Sequence, residues 1–404
     1  AQVALPRPSR PGPSLAGMDL EQAKARVQEE VDRRADLLLE VSHRIHGHPE
    51  VLFAETYASD VLASALGAEA GAYGLDTAFE SRYGSGDGPT VAVICEYDAL
   101  PVIGHGCGHN VIAAAGLGAG LAAGALAEEA GGRLVVLGTP AEEGGGGKVL
   151  MGDRGAFDGV DAAMMVHPCG ADLTEADIIA IATWRVEYFG QGAHAAAAPH
   201  MGRNALDAMV VGYNAVAALR QHIASTDRIH GVFTKAGEKP NIVPDLTVAE
   251  WYVRSASIES LQPLKARVLA CLEAGAAAAG CRIEVTPTCP EYSDLRTNPV
   301  MIDRYRANSE ALGRPVYEPT AETRVIASTD MGNVSHLVPS IHPMMAISPP
   351  DVPLHSAEFA RWAASEEGDR AVLDGAKAMA MTVMDLWLTE GLVQEVRAAF
   401  GSEP

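Results

Sequence analysis

Basic residues are scarce in this chain. Thirty Lys and Arg stand against 52 Asp and Glu in 404 residues, a formal net charge of −22. That balance discourages contact with nucleic acid or an anionic membrane. Paired cysteines are missing as well: Cys95, Cys107, Cys169, Cys271, Cys281 and Cys289 form no C-x-x-C. Scattered in a long chain, they read as reduced thiols of a cytoplasmic protein, any of which could bind a metal. No apolar run is expected to reach the roughly 18–20 residues that span a bilayer. The first 17 residues lack the apolar stretch of a signal peptide, and Pro6, Pro8, Pro11 and Pro13 make residues 1–18 read as a disordered leader. A nucleotide loop is excluded too. In "GTPAEEGGGGK" the pattern G-x-x-x-x-G-K-[ST] would need glycine at Glu142 and Ser or Thr at Val149, and two carboxylates would repel phosphate.

What is present is globular. Hydrophobic residues make up 48% and charged ones 20%, enough to bury a core in two or three compact units. Asp19 can cap a helix, with Leu20, Ala23, Val27, Val31, Leu38, Val41 and Ile45 at helical spacing up to Gly47. Strands are expected at Pro89–Tyr97, Gly132–Gly138 and Asp161–Pro168, with a helix of small residues over Asn110–Ala130. Strands alternating with helices predict an α/β domain with a mostly parallel sheet. From Ile181 the pattern changes to β-α-β-β-α-β, a ferredoxin-like unit inserted into the first domain. The expected division is 19–180 and 295–404 for one domain and 181–294 for the insertion.

Residues with chemistry gather at the ends of predicted strands. "CEYDALPVIGHGCGHN" supplies Glu96, Asp98, His105, Cys107, His109 and Asn110. "TPAEEGG" supplies Glu142 and Glu143, "MVHP" supplies His167, and "PLHSAEF" supplies His355 on a downstream loop. Thiolate, imidazole and carboxylate together are the ligand set of zinc and its neighbours. Adjacent glutamates suit a division in which one binds metal while the other moves protons. Each element alone has an ordinary structural explanation: a chance C-x-H, a solvated turn, a core histidine. Their shared position at the C-terminal end of one sheet, where ligand sites collect, favours the metal reading. His43, His46 and His48, despite metal-like spacing, suit a helix C-terminus instead. His200, His222 and His230 are assigned to the insertion's surface or core, and Cys95 and Cys169 to buried thiols. His336 and His342 stand between lining the substrate side and filling structure.

Five segments carry a resemblance: "CEYDALPVIGHGCGHN", "LGTPAEEGGGGK", "GAHAAAAPHMGRNALDA", "KPNIVPDLTVAEWYVR" and "STDMGNVSHLVPSIHP". In this order the chain resembles the dinuclear metallopeptidases that include aminoacylase, carnosinase and carboxypeptidase G. It is similar to their branch of aminobenzoyl-glutamate hydrolase and β-alanyl-lysine (Xaa-Arg) dipeptidase. The resemblance implies two divalent metal ions, Zn or Mn, held by Cys107, His109, Glu143, His167 and His355. It implies Glu142 as general acid/base and Asp98 as the carboxylate orienting a ligand imidazole. His194 would stabilise the oxyanion, and Asn241 and Arg254 would meet the substrate's carboxylate or backbone. The insertion would act as a lid and dimerisation domain. The substrate would be a small dipeptide of β-alanyl or Xaa-basic type, or else an aminobenzoyl-glutamate or N-acyl amino acid. A metal-free binding protein on the same fold is the reading of another class. Against it, none of the expected ligands is missing.

Overall fold

The computed structural model describes residues 18–401. The leader expected over 1–18 lies outside them, save Met18, which packs against the core. Asp19 does cap the first helix, Leu20–Arg33, its carboxylate accepting from the Gln22 amide at 3.1 Å. The single helix expected up to Gly47 is broken at Arg34 (φ −105°, ψ 9°), and a second helix, Ala35–His46, follows. Ala23, Val27 and Val31 on one side of the break and Leu38, Val41 and Ile45 on the other are all buried. The apolar period runs straight through the break, so the pattern carried no sign of it.

The main sheet has five strands, in the order Phe79–Tyr83, Arg133–Thr139, Thr90–Glu96, Ala162–Met164, Ser340–Ile341. The last four are parallel and the first is antiparallel at one edge. Every residue of Thr90–Glu96 is buried, which is why that stretch reads as an unbroken apolar run rather than an alternating one. The helix His109–Ala130 crosses one face, and Glu366–Leu388 packs along it. Small residues permit the close approach: a Cβ on Gly118 would stand 2.7 Å from the Ala376 Cβ. This helix corrects one expectation. With 22 residues and a mean hydropathy of 1.6 it is apolar enough to span a bilayer by composition, but 83% of its most apolar window is buried inside the protein.

The stretch Asp161–Pro168 is also not one strand. Ala162–Met164 belongs to the main sheet, whereas His167–Cys169 pairs in parallel with Met344–Ala346. The chain thus leaves one sheet and enters another just before His167.

A separate antiparallel sheet is built from Ala180–Phe189, Arg228–Lys235, Leu246–Ser255 and Arg282–Pro287, with helices Ala205–Leu219 and Ile258–Ala279 between them. Its spatial order is Arg282–Pro287, Ala180–Phe189, Leu246–Ser255, Arg228–Lys235. This unit has its own core, including Tyr188, Trp251, Leu261 and Val268. Its two helices touch at glycines, and a Cβ on Gly275 would lie 2.2 Å from the Ala208 carbonyl oxygen. Where the chain enters and leaves the unit, Ile181 and Tyr292 exchange backbone hydrogen bonds of 3.0 and 3.1 Å.

Candidate active site

The C-x-H loop runs into the first turn of the helix that starts at His109. Gly108 precedes it with φ 79°, and a Cβ there would press on the Pro168 ring at 2.8 Å. Glycine is what lets the backbone turn so sharply that Cys107 and His109 face one centre. The Cys107 Sγ lies 3.5 Å from the His167 Nε2 and 3.5 Å from the His355 Nε2. One oxygen of Glu143, Oε1, stands 3.9 Å from the His109 Nε2 and 3.6 Å from the His355 Nε2. All five residues expected as ligands therefore converge, from opposite ends of the chain. They form two overlapping groups, Cys107–His109–His167 and Cys107–Glu143–His355, each with donor atoms within 4.8 Å of one another. The thiol of Cys107 is common to both.

The glutamate turn is pinned from several sides. Its first residue, Ala141, has φ 60° and donates its amide to Glu55 at 2.9 Å. The Glu143 amide donates to the Asp98 Oδ2 at 2.9 Å. Tyr292 donates its hydroxyl to the Glu142 carbonyl at 2.6 Å and accepts from the Gly146 amide at 2.9 Å. Gly147 lies so close to Pro140 that any Cβ would sit 1.8 Å from its carbonyl oxygen. His355 too is in the left-handed region, at φ 59°, held by its amide bond to the Gly106 carbonyl. Two non-glycine residues in that region at one site is strain of the kind found at functional centres.

Asp98 does orient the His109 ring. Both its carbonyl, at 2.8 Å, and its Oδ1, at 3.1 Å, face the His109 Nδ1, leaving Nε2 toward the centre. Burial pushes the Glu142 carboxyl well above its usual range, reinforced by the charges of Glu96 and Glu143. Burial likewise raises Glu143 to about 7, against the pull of His109, and raises the Cys107 thiol. It lowers the His167 imidazole to about 4, helped by His109. The His109 Nε2, Glu143 Oε1 and Glu96 Oε1 are buried without a hydrogen-bond partner. Lone pairs crowded together and disfavoured as anions fit a cation site, because a divalent ion reverses each of these penalties.

A cavity of about 320 Å³ opens beside this cluster, lined by Glu142, His167, Arg254, Thr329, His342 and Met344 among others. Arg254 donates one Nη1 hydrogen bond to Ser328 at 3.2 Å, and its Nε has no partner. Its neighbours in the expected substrate set are elsewhere. His194 and Asn241 lie side by side on adjoining segments, joined by the Ala195 amide to the Asn241 carbonyl at 3.0 Å. Both are exposed, the His194 Nδ1 accepts from the Ala196 and Ala197 amides, and neither lines the cavity.

The set-aside histidines stay outside the cluster. His43 pairs with Asp369 at 2.8 Å, His46 with the Ala360 carbonyl at 2.7 Å, and His48 lies beside Tyr57. His200, His222 and His230 are exposed on the separate unit. His336 is tied to the Asp294 carbonyl at 2.9 Å, while His342 is buried and lines the cavity. Three buried residues that sequence reasoning left without a role sit against the site: Glu96, Lys148 and Asp330. The Lys148 ammonium lies between the two carboxylates, and all three side chains are at 0% exposure. A glutamate ending an otherwise apolar buried strand was the one sequence signal for this arrangement.

Comparison with known proteins agrees with this geometry. The profile described as peptidase family M20/M25/M40 matches residues 96–385. An Xaa-Arg dipeptidase of Mus musculus is 36% identical over 413 residues, covering 98% of this chain and 95% of that protein. A p-aminobenzoyl-glutamate hydrolase of Escherichia coli strain K12 is 28% identical, covering 88% of this chain and 90% of its own. Among solved structures, a dinuclear metal binding peptidase of the same family from Bacillus subtilis superposes with TM-score 0.61 at 17% identity, covering 88% of this chain and 99% of that one. The thiol, imidazoles and paired glutamates of the cluster all fall on or within the matched segment, whose ends enclose the separate antiparallel unit as well. This chain belongs to peptidase family M20/M25/M40 and is a metallohydrolase of amide bonds.

Proposed function

We propose that the chain is a dipeptidase of Xaa-basic type working with two divalent ions, Zn or Mn, bridged by Cys107. His109 and His167 would complete one ion's ligands, Glu143 and His355 the other's. The observation that carries this reading is the convergence of the five donor side chains on the mouth of a cavity that Glu142 also lines. Bound ions supply an acidified water and polarise the scissile carbonyl. Glu142, unligated and held by Tyr292 through its backbone, accepts the water's proton and returns it to the leaving amine. Its raised proton affinity suits a group that must both take and give a proton near neutral pH. Asp98 keeps the proton on the His109 Nδ1 and so keeps Nε2 a donor to metal.

The antiparallel unit serves as lid and dimerisation domain in this reading. His194 and Asn241 are absent from the cavity of their own chain, which supports their delivery by the partner copy of a homodimer. Val210, Val211, Val232 and Phe233 are exposed on that unit, and Arg228–Lys235 is an edge strand open to pairing.

A second reading has its own support. The acidic side chains lining the cavity are Glu142 and Glu143 alone, both committed to the centre, and its walls include Ile178, Val325, Ile326 and Leu354. No carboxylate is left there for a basic substrate side chain, whereas Arg254 offers a free donor to a carboxylate. That lining favours an N-acyl amino acid or aminobenzoyl-glutamate. Metal content and turnover of an Xaa-Lys and Xaa-Arg panel beside N-acyl amino acids, in wild type and Glu142→Gln, decide between them. Two ions in both proteins with turnover lost by about 10²–10⁴-fold in the variant is the expected result. Equal turnover in the variant would remove Glu142 as the base. A wild type that binds no metal would leave only a binding protein on this fold.

A further inference from the structure

Glu96 ends the fully buried strand Thr90–Glu96. One of its oxygens, Oε2, is taken by Lys148, which also binds the Asp330 Oδ1 at 2.8 Å. The Asp330 Oδ2 accepts the Lys148 amide at 2.9 Å, so the lysine is gripped at both ends. Two carboxylates against one ammonium leave this sealed triad with an unbalanced negative charge, which is costly away from water. The other Glu96 oxygen, Oε1, has no hydrogen-bond partner. It lies 3.1 Å from the His109 Nε2, which has none either.

The protons make that pairing informative. With two Asp98 acceptors at Nδ1, the neutral His109 ring carries its hydrogen there. Nε2 then turns a lone pair toward the lone pairs of Glu96, and the two repel unless a cation lies between them. Two ligand atoms each roughly 2.1 Å from one ion, set near a right angle, are themselves about 3 Å apart. The observed 3.1 Å matches. Glu96, His109 and Glu142 also form a third group with donor atoms within 4.8 Å.

We propose that Glu96 is a further metal ligand, giving its Oε1 to the ion held by Cys107, His109 and His167, with Lys148 and Asp330 as positioning residues. The inference rests on the dinuclear reading of the site. The Lys148 grip fixes Oε2 and so aims Oε1, and the ion supplies the positive charge that the triad lacks.

The test uses the full chain, stripped by chelator and reloaded with Co(II). Wild type, Glu96→Gln and Glu96→Asp are compared by ions bound per chain, chelator competition and Co(II) visible absorption. Glu96→Gln is expected to weaken one of the two ions at least 10–100-fold, the range that loss of even an outer partner costs, and to change that ion's spectrum. Glu96→Asp keeps the charge facing Lys148 but withdraws the carboxylate by one methylene. It is expected to shift affinity and spectrum the same way, and it decides the matter if Glu96→Gln does not fold. Wild-type affinity and spectrum in Glu96→Asp would overturn the proposal and reduce Glu96 to a charge beside the site. So would an unchanged Glu96→Gln. A wild type that takes up no Co(II) would instead sink the metal centre itself, a result distinct from either.

Discussion

Arg254 shows how one residue can be placed correctly by sequence while its setting stays hidden. It is half-buried, faces the cavity and has an unpartnered Nε, and burial lowers its pKa. A guanidinium in that state gains most from a carboxylate presented to it. Arg254→Ala is expected to lower kcat/KM by about 10–100-fold, the equivalent of a hydrogen bond to a charged group at roughly 1.5–3 kcal/mol. Measured on a substrate with its carboxylate amidated, the same variant should lose far less; an equal loss on both substrates would remove the contact. The clustered donor residues were legible for a simple reason: Cys107, His109, Glu143 and His167 each follow or begin a strand in a short, chemically biased segment. Glu96, Lys148 and Asp330 were not, because their meaning is a contact across 234 positions, the separation of Glu96 from Asp330. Local pattern holds no trace of that. In the sequence Lys148 is only the end of a failed phosphate loop, and nothing beside it marks it as buried.

At the scale of elements, the long helices and buried strands were the easy part, since periodicity and unbroken apolar runs are local. The misjudged elements were decided by their surroundings. Arg34 interrupts a helix whose apolar spacing never falters, and Asp161–Pro168 divides because Met344–Ala346 offers His167–Cys169 a different partner. The helix pair of the antiparallel unit is a further case. Gly212 and Gly275 let Ala205–Leu219 and Ile258–Ala279 meet almost backbone to backbone, with a Gly275 Cβ 2.7 Å from the Gly212 nitrogen. Gly275→Val must push the helices apart, and overpacking of this kind costs about 1–3 kcal/mol or more. Urea unfolding is expected to show that loss while metal content stays unchanged. Stability equal to wild type would mean the helices separate freely.

At the scale of the molecule, two cores with different dependencies are expected. The cluster containing Leu38, Val93 and Met379 lies under the sheet that bears the clustered donors, whereas the cluster around Trp251 and Tyr188 holds none of them. Ions that bind only the folded site stabilise it by mass action, about 2.7 kcal/mol at a hundredfold excess over Kd. Chelation should therefore speed hydrogen exchange in segments around residues 90–170 and leave Leu246–Ser255 unmoved. Uniform acceleration through both units would show that they open as one. The insertion of one unit into another was readable from the change of strand rhythm near Ile181. The position of His194 and Asn241 away from the cavity was not, because reach across space is set by how the two units sit.

The helix His109–Ala130 has a consequence for the chain's birth. It leaves the ribosome as 22 residues apolar enough for a bilayer, and the element that seals it, Glu366–Leu388, is made more than two hundred residues later. Through most of its synthesis the nascent protein therefore displays a naked, greasy rod with His109 at its tip. A chaperone, or the speed of translation itself, has to stand in for Glu366–Leu388 until it arrives, and a chain stopped short of it has nothing to lay over Gly118.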